Sequence, residues 1–285
     1  MYGYFSERCY SGDMPYTDLA AERRRADIDI PGVDYVKEKV RVGYWEKIRI
    51  STKKGAESIG RPIGLYDTLQ LGQIDRLDCD QIEDAKDEIA GGICRMLDMS
   101  EIFPGRIVIC GLGNPYLTPD AIGHEAAREV KPTMHIKEHD ARIFKELNCA
   151  EIAVVSPGVA ATSGLDAAVI IRGVCDIIKP DAVIAIDALA TRDTKRLGST
   201  VQICNTGISP GSGLGNTQLA IGIETVGVPV IAIGVPTVID TRVLCEKADF
   251  TSPPMFVSPK EINDIVSSAG KIIGGGINRA LGIYS

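Results

Sequence analysis

Two aspartates stand where apolar sequence gives way to a turn. Asp120 follows the loop Gly111-Leu112-Gly113-Asn114, in Thr118-Pro119-Asp120, and Asp187 follows the run Asp181-Ala182-Val183-Ile184-Ala185-Ile186. Two close carboxylates resist ionising together, so one tends to stay protonated while the other is charged. The charged one can activate water, and the protonated one can polarise a peptide carbonyl or protonate a leaving nitrogen. The same positions also suit a helix-start acid and a loop cap, and spacing alone leaves both readings open.

Other spacings compete. His135-Ile136-Lys137-Glu138-His139 matches H-x-x-E-H, in which two histidines hold zinc and a glutamate acts as base. This zinc metallopeptidase reading of His135, Glu138 and His139 needs a third ligand that no second signature supplies, and a solvated helix face is the plainer alternative. Gly207-Ile208-Ser209-Pro210-Gly211 matches the nucleophile elbow G-x-S-x-G. Pro210 brings no N–H to an oxyanion hole, and all three histidines precede the serine. The better reading is a glycine-rich loop beside the crevice, with Gly211, Ser212 and Gly213 offering backbone donors to a peptide. Gly113 and Asn114 are the matching candidates from the first loop. Gly111-Leu112-Gly113-Asn114-Pro115 also resembles the start of peptidyl-tRNA hydrolases, an esterase reading, but here it follows a hundred residues of other sequence.

The elements that must position these groups alternate. The spacing of Ile82, Ala85, Ile89, Ile93 and Met96 predicts a helix from about Gln81 to Leu97. Short strands are predicted at Val40–Tyr44 and Lys47–Ser51, and a turn-rich stretch from Lys54 to Leu65. Buried strands are predicted at Arg106–Cys110, Ile152–Val155, Ala182–Ile186, Val201–Cys204 and Val228–Ile233. Between them fall a helix at Met134–Leu147 and one carrying Ile170, Ile171, Val174 and Ile178, capped by Thr162. Thr118 as N-cap and Pro119 at N1 would put Asp120 in a first helical turn. Ser258-Pro259-Lys260-Glu261 reads as a capping box opening a last helix that precedes Gly274. Buried strands alternating with helices predict an α/β fold with a largely parallel sheet. Ligands of such sheets bind outside the strands' carboxyl ends, which both aspartates approach.

Composition narrows the class. A net charge of −7 argues against a large nucleic-acid footprint, and Arg23-Arg24-Arg25 is a short local run. Eight cysteines stand singly, without a C-x-x-C pair, and Cys110 and Cys175 read as small buried hydrophobes. No apolar stretch approaches the ~20 residues that span a bilayer, and the N-terminal sequence carries no apolar signal core. A reducing cytosol is the expected compartment.

Five strings occur in order: CGLGNPYLTPDAIG (110–123), VVSPGVAATSG (154–164), VIAIDALATR (183–192), ISPGSGLGN (208–216) and GVPVIAIGVPTVID (227–240). With GAESIGRPIGLYDTL (55–69) and Tyr16-Thr17-Asp18-Leu19-Ala20, they resemble the germination (spore) protease family of atypical aspartic endopeptidases. Between Asp249 and Ser258 the chain is shorter than in Bacillus-type members.

The resemblance implies a phosphorylase/hydrolase-like α/β peptidase whose catalytic residues are Asp120 and Asp187, with no metal or other cofactor. It implies small acid-soluble spore proteins as substrates, a homotetramer, and a place in the cytoplasm of the forespore and spore core. Neither a nucleic acid nor a membrane is an expected partner. It also implies a zymogen that trims itself where an acidic residue precedes a hydrophobic residue and alanine. Asp18-Leu19-Ala20 has that form, so cleavage is expected between Asp18 and Leu19. The expected organisation is a propeptide at 1–18 and one peptidase domain at 19–285, with a β-rich extension and helix at 19–100 and a core at 105–285.

Overall fold

The computed structural model describes residues 17–24, 30–211, 219–244 and 255–283. Nine strands form one sheet: β1 (Val33–Lys39), β2 (Tyr44–Ile50), β3 (Gly64–Gln70), β4 (Arg106–Gly111), β5 (Glu151–Val155), β6 (Ala182–Thr191), β7 (Thr200–Cys204), β8 (Val230–Asp240) and β9 (Phe256–Val257). The order is β1-β2-β3-β7-β8-β6-β4-β5, with β9 on the end of β8.

The fold is α/β as expected, but the sheet has two halves. The pairs β5–β4, β4–β6 and β6–β8 are parallel, while β1–β2, β2–β3, β3–β7 and β7–β8 are antiparallel. "Largely parallel" therefore holds for one half alone. The first strands extend that same sheet, because β3 pairs with β7. Alternation within β2, β3 and β7 gave too little signal against their flanking glycines to reveal this.

Several local expectations shift. Val40 to Gly43 is the β1–β2 hairpin turn, closed by Val40 N–H to Gly43 O at 3.2 Å, with Gly43 at φ 81°. The stretch read as turns begins with a helix, Lys53–Ile59, capped by Thr52. The long helix is Cys79–Met99, held at its start by a reciprocal Asp78–Gln81 capping box. Asp140 splits the predicted Met134–Leu147 helix in two, because it leaves helical geometry to cap Ala141–Leu147. Asp166, rather than Thr162, caps Ala167–Ile178.

The last helix, Ile262–Ala280, starts without a side-chain cap and runs through Gly274, Gly275 and Gly276. A Cβ at Gly274 would overlap Glu129, and one at Gly276 would overlap Ile89. Close packing, not chain termination, explains these glycines. The shorter stretch between Asp249 and Ser258 lies in part outside the described residues.

Helices cover both faces. The main core joins Cys79–Met99, Ile122–Glu129 and Ile262–Ala280 to the face carrying Ile107, Ile109, Ile184 and Ile186. A second cluster joins Ala167–Ile178 to Val108, Cys110, Val183 and Ala185, and includes Cys175. A third gathers Ala20, Ile48, Ile50, Tyr66, Cys204 and Ala232 below the N-terminal segment. Burying strands on both faces in this way is what near-continuous apolar runs such as Val183–Ile186 require.

Candidate active site

Asp187 does not end its strand, as the sequence suggested. Strand β6 continues to Thr191, but β4 stops opposite Ile186. Asp187 is thus the first residue of β6 beyond its shorter neighbour, with β8 still alongside through Gly234. The carboxyl-end placement survives through the mismatch in strand length.

Asp120 reaches the same place from β4. Leu112 N–H donates to Ile186 O at 2.8 Å, and the loop then turns through Gly113 at φ 89°. A Cβ on Gly113 would overlap the Asp120 carbonyl oxygen, so both the left-handed backbone and the close approach call for glycine. Thr118–Asp120 forms a short 3-10 turn rather than the start of the α-helix, which begins at Ile122. Leu117, not Thr118, occupies its cap position. Asn114 N–H donates to the Asp120 carboxylate at 2.8 Å, and Thr237 on β8 donates its hydroxyl to Pro119 O at 2.6 Å. Gly123 lets the following helix touch Ile186 O and Leu112 N, where any Cβ would collide.

Both carboxyls line one cavity of about 320 Å³, together with Asn114, Ser209, Gly211 and Asp18. Asp187 is 3% exposed, and Asp120 is half-buried. Burial first, then the neighbouring Asp120 charge, hold Asp187 well above the usual carboxylate range; Ala188 N–H partly offsets this and Asp18 adds to it. Burial also raises Asp120, and the Asn114 N–H opposes that rise. Both carboxyls are thus pushed toward the protonated form, Asp187 the more strongly because it is the more buried and faces the Asp120 charge.

Gly113 and Asn114 line this cavity, but the Asn114 N–H already serves Asp120. Gly211 lines it too, while Ser212 and Gly213 lie outside the described residues. His135, Glu138 and His139 are exposed and far from this role. Among the described residues no group of three His, Cys, Asp or Glu side chains is placed to hold a metal ion. Cys110 and Cys175 are buried, as their apolar settings suggested.

The N-terminal segment enters the same cavity. Asp18 N–H donates to Ala190 O, and Ala190 N–H donates to the Asp18 carboxylate, both at 2.9 Å. Arg61 stands 3.6 Å from that carboxylate. On either side of the Asp18–Leu19 bond, Gln202 donates to Asp18 O at 3.4 Å and accepts from Ala20 N–H at 2.9 Å. Sequence reading singled out none of Arg61, Ala190, Gln202 and Thr237. The available signal was a lone polar residue inside an apolar strand, Gln202 in Val201–Cys204 and Thr237 in Val230–Asp240.

The germination protease family model matches residues 13–252. The chain belongs to the germination protease family. Over 93% of both chains it is 34% identical to the germination protease of Caldanaerobacter subterraneus subsp. tengcongensis. It is 32% identical to that of Clostridium perfringens over 93% of this chain and 94% of the relative. The Bacillus subtilis germination protease is 38% identical over 79% of this chain but only 63% of its own length. Among solved structures, a NiFe hydrogenase maturation protease from Thermococcus kodakarensis aligns with a TM-score of 0.38 at 20% identity, over 67% of this chain and 98% of that one. The family membership makes the chain a peptidase. Among the described residues no helix is long and apolar enough to cross a membrane.

Proposed function

We propose that the chain is an aspartic endopeptidase that begins the breakdown of small acid-soluble spore proteins during germination, in the cytoplasm of the spore core. The observation that carries this reading is the shared cavity of Asp120 and Asp187, with the Asp18 side of a candidate scissile bond in the same cavity. In the reaction, the Asp120 carboxylate takes a proton from water as its oxygen bonds to the peptide carbonyl carbon. Asp187 gives its proton to the carbonyl oxygen, leaving a neutral diol intermediate. Asp120 then protonates the nitrogen, the C–N bond breaks, and one diol hydroxyl returns a proton to Asp187. Both acids end as they began, so no cofactor is consumed.

The same placement supports the zymogen reading. Residues 1–18 are the propeptide, cut between Asp18 and Leu19 by the dyad beside them, and the active form is a homotetramer. Peptide main chain is further held by Gly113, Asn114 and the Gly211-Ser212-Gly213 loop. Incubating the purified chain with a small acid-soluble spore protein, beside Asp120→Asn and Asp187→Asn, tests the dyad. Either variant cutting at the wild-type rate removes it. Mass spectrometry of the aged wild-type chain should show a new N-terminus at Leu19, and its absence under every activating condition removes the self-processing step.

A further inference from the structure

Strand β6 outruns β4, so beyond Ile186 it has a backbone edge that no strand of the sheet occupies. In its pairing with β8 the register shifts between Leu189 and Ala190, where Thr237 of β8 is the extra residue, an irregularity of a kind common beside functional sites. The segment Thr17–Ala20 sits on it: Asp18 exchanges two hydrogen bonds with Ala190, and Thr17, Leu19 and Ala20 are buried. One of the two is a main-chain bond, Asp18 N–H to Ala190 O, and the other runs from Ala190 N–H to the Asp18 side chain, so the edge holds both the backbone and the carboxylate of this residue.

The surroundings of the acidic side chain are specific. Besides Ala190 N–H, it faces Arg61, whose Nη2 also donates to Thr17 O at 3.1 Å. The Arg61 Nε is buried with no hydrogen-bond partner among the described residues, which leaves a guanidinium donor for a better-seated carboxylate. Arg61 lines a second hollow of about 150 Å³ that meets the catalytic cavity at Asp18, Leu189 and Ser209. Gln202 lies in register with Asp187 across Gly234, so the two side chains rise from the same face of the sheet. The residue between them has no side chain, and the Leu189 side chain fills the space that a Cβ there would take.

We propose that Arg61 and the Ala190 N–H form the subsite that selects an acidic side chain on the amino side of the cut bond, while Gln202 grips the peptide groups flanking that bond. The inference rests on the peptidase reading above and adds the residues that choose where it cuts. A paired guanidinium and N–H favour a carboxylate over the isosteric amide, because charge-assisted hydrogen bonds are about twice as strong as neutral ones.

The test is a double-mutant cycle read as the rate at which the N-terminus at Leu19 appears in the full chain. Asp18→Asn and Arg61→Gln should each slow it by about tenfold to a hundredfold. Because they remove one interaction, the double variant should be no slower than the slower single one. Arg61→Lys should recover part of the rate. Effects that multiply in the double variant overturn the proposal, as does Arg61→Gln at the wild-type rate. Should the arginine variants not fold, Asp18→Asn alone decides, since cleavage at the wild-type rate would mean that no acidic side chain is read. A wild-type chain that never cuts there fails the self-processing reading instead, a result seen before any variant is compared.

Discussion

The two halves of the sheet solve different problems. The parallel half, β5-β4-β6-β8, sends its strands toward one rim, and both dyad acids stand there through the length mismatch of β4 and β6. The antiparallel half, β1-β2-β3-β7, brings no acid of the dyad. Its strand β7 contributes Gln202, and Arg61 lies in the connection leading into β3. On the proposed assignment, chemistry sits where topology gathers strand ends, and recognition is assembled across the sheet from residues distant in sequence. The two meet at Gly234, flanked by Asp187 on one side and Gln202 on the other.

That division can be broken most sharply at the dyad. Asp120→Asn and Asp187→Asn should each lower kcat on a small acid-soluble spore protein by about a thousandfold, with little change in KM. A variant that retains a tenth of the activity would move the chemistry elsewhere. Gln202→Leu, similar in volume, should cost about a hundredfold in kcat if its amide steadies the carbonyl oxygen, as loss of one such donor commonly does. If KM rises and kcat holds, the antiparallel half binds without assisting the reaction.

Glycines in the two halves offer a finer comparison. Gly113 and Gly72 both have positive φ, at 89° and 82°. A Cβ at Gly113 would strike Asp120, whereas one at Gly72 meets open space. Gly72→Ala should lose about 1 kcal/mol of stability from backbone strain, and Gly113→Ala more, because its Cβ also strikes the Asp120 main chain. Only Gly113→Ala should also lose activity, by about tenfold or more, and equal activities would detach the loop from the reaction. Urea unfolding and turnover measured side by side separate the two effects.

A smaller effect follows from the titration of Asp187. Its folded pKa lies well above the ordinary carboxylate value, so the stability that its neutral form supports is complete below about pH 3.9. That stability is lost as pH rises through the folded value. Asp187→Asn does not titrate, so its melting temperature should gain on the wild type steadily from acid to alkaline pH. A constant difference would mean that the carboxyl titrates alike in the folded and unfolded chain, with no raised value in the fold. Smallest of all, His135→Ala should leave turnover unchanged within twofold, even after chelation, because that side chain is exposed and away from the cavity.

Much of the parallel half was legible from short runs. Arg106–Cys110 and Ile152–Val155 are apolar because they are covered on both faces, and their lengths match the strands to within a residue. Asp187 was placed correctly beyond a buried run, yet the strand's continuation to Thr191 was not. What distinguishes the segments is the absence of β4 alongside, a property of the neighbour rather than of β6. The capping of Cys79–Met99 is local and close to the expected start, whereas Thr118 and Thr162 were displaced as caps by Leu117 and Asp166. The antiparallel half was less legible. Arg61 and Gln202 meet Asp18 only through pairing between strands far apart in the chain, which no local period encodes. From the motif-rich loop that begins at Ile208, Ser209, Pro210 and Gly211 line the cavity.

The seating of Asp18 on the edge of β6 has a kinetic meaning. The short helix Ala20–Arg23 follows immediately, and its Glu22 accepts from Arg192 N–H at 2.9 Å, so the segment is tethered within a few residues of the site. A tether that short presents its peptide at an effective concentration on the order of millimolar or above. Any protein substrate must compete with that local supply until the bond is cut and the amino-side product leaves. Self-cleavage should accordingly be first order and indifferent to dilution, while turnover on added substrate should show a lag that shortens as cut chain accumulates.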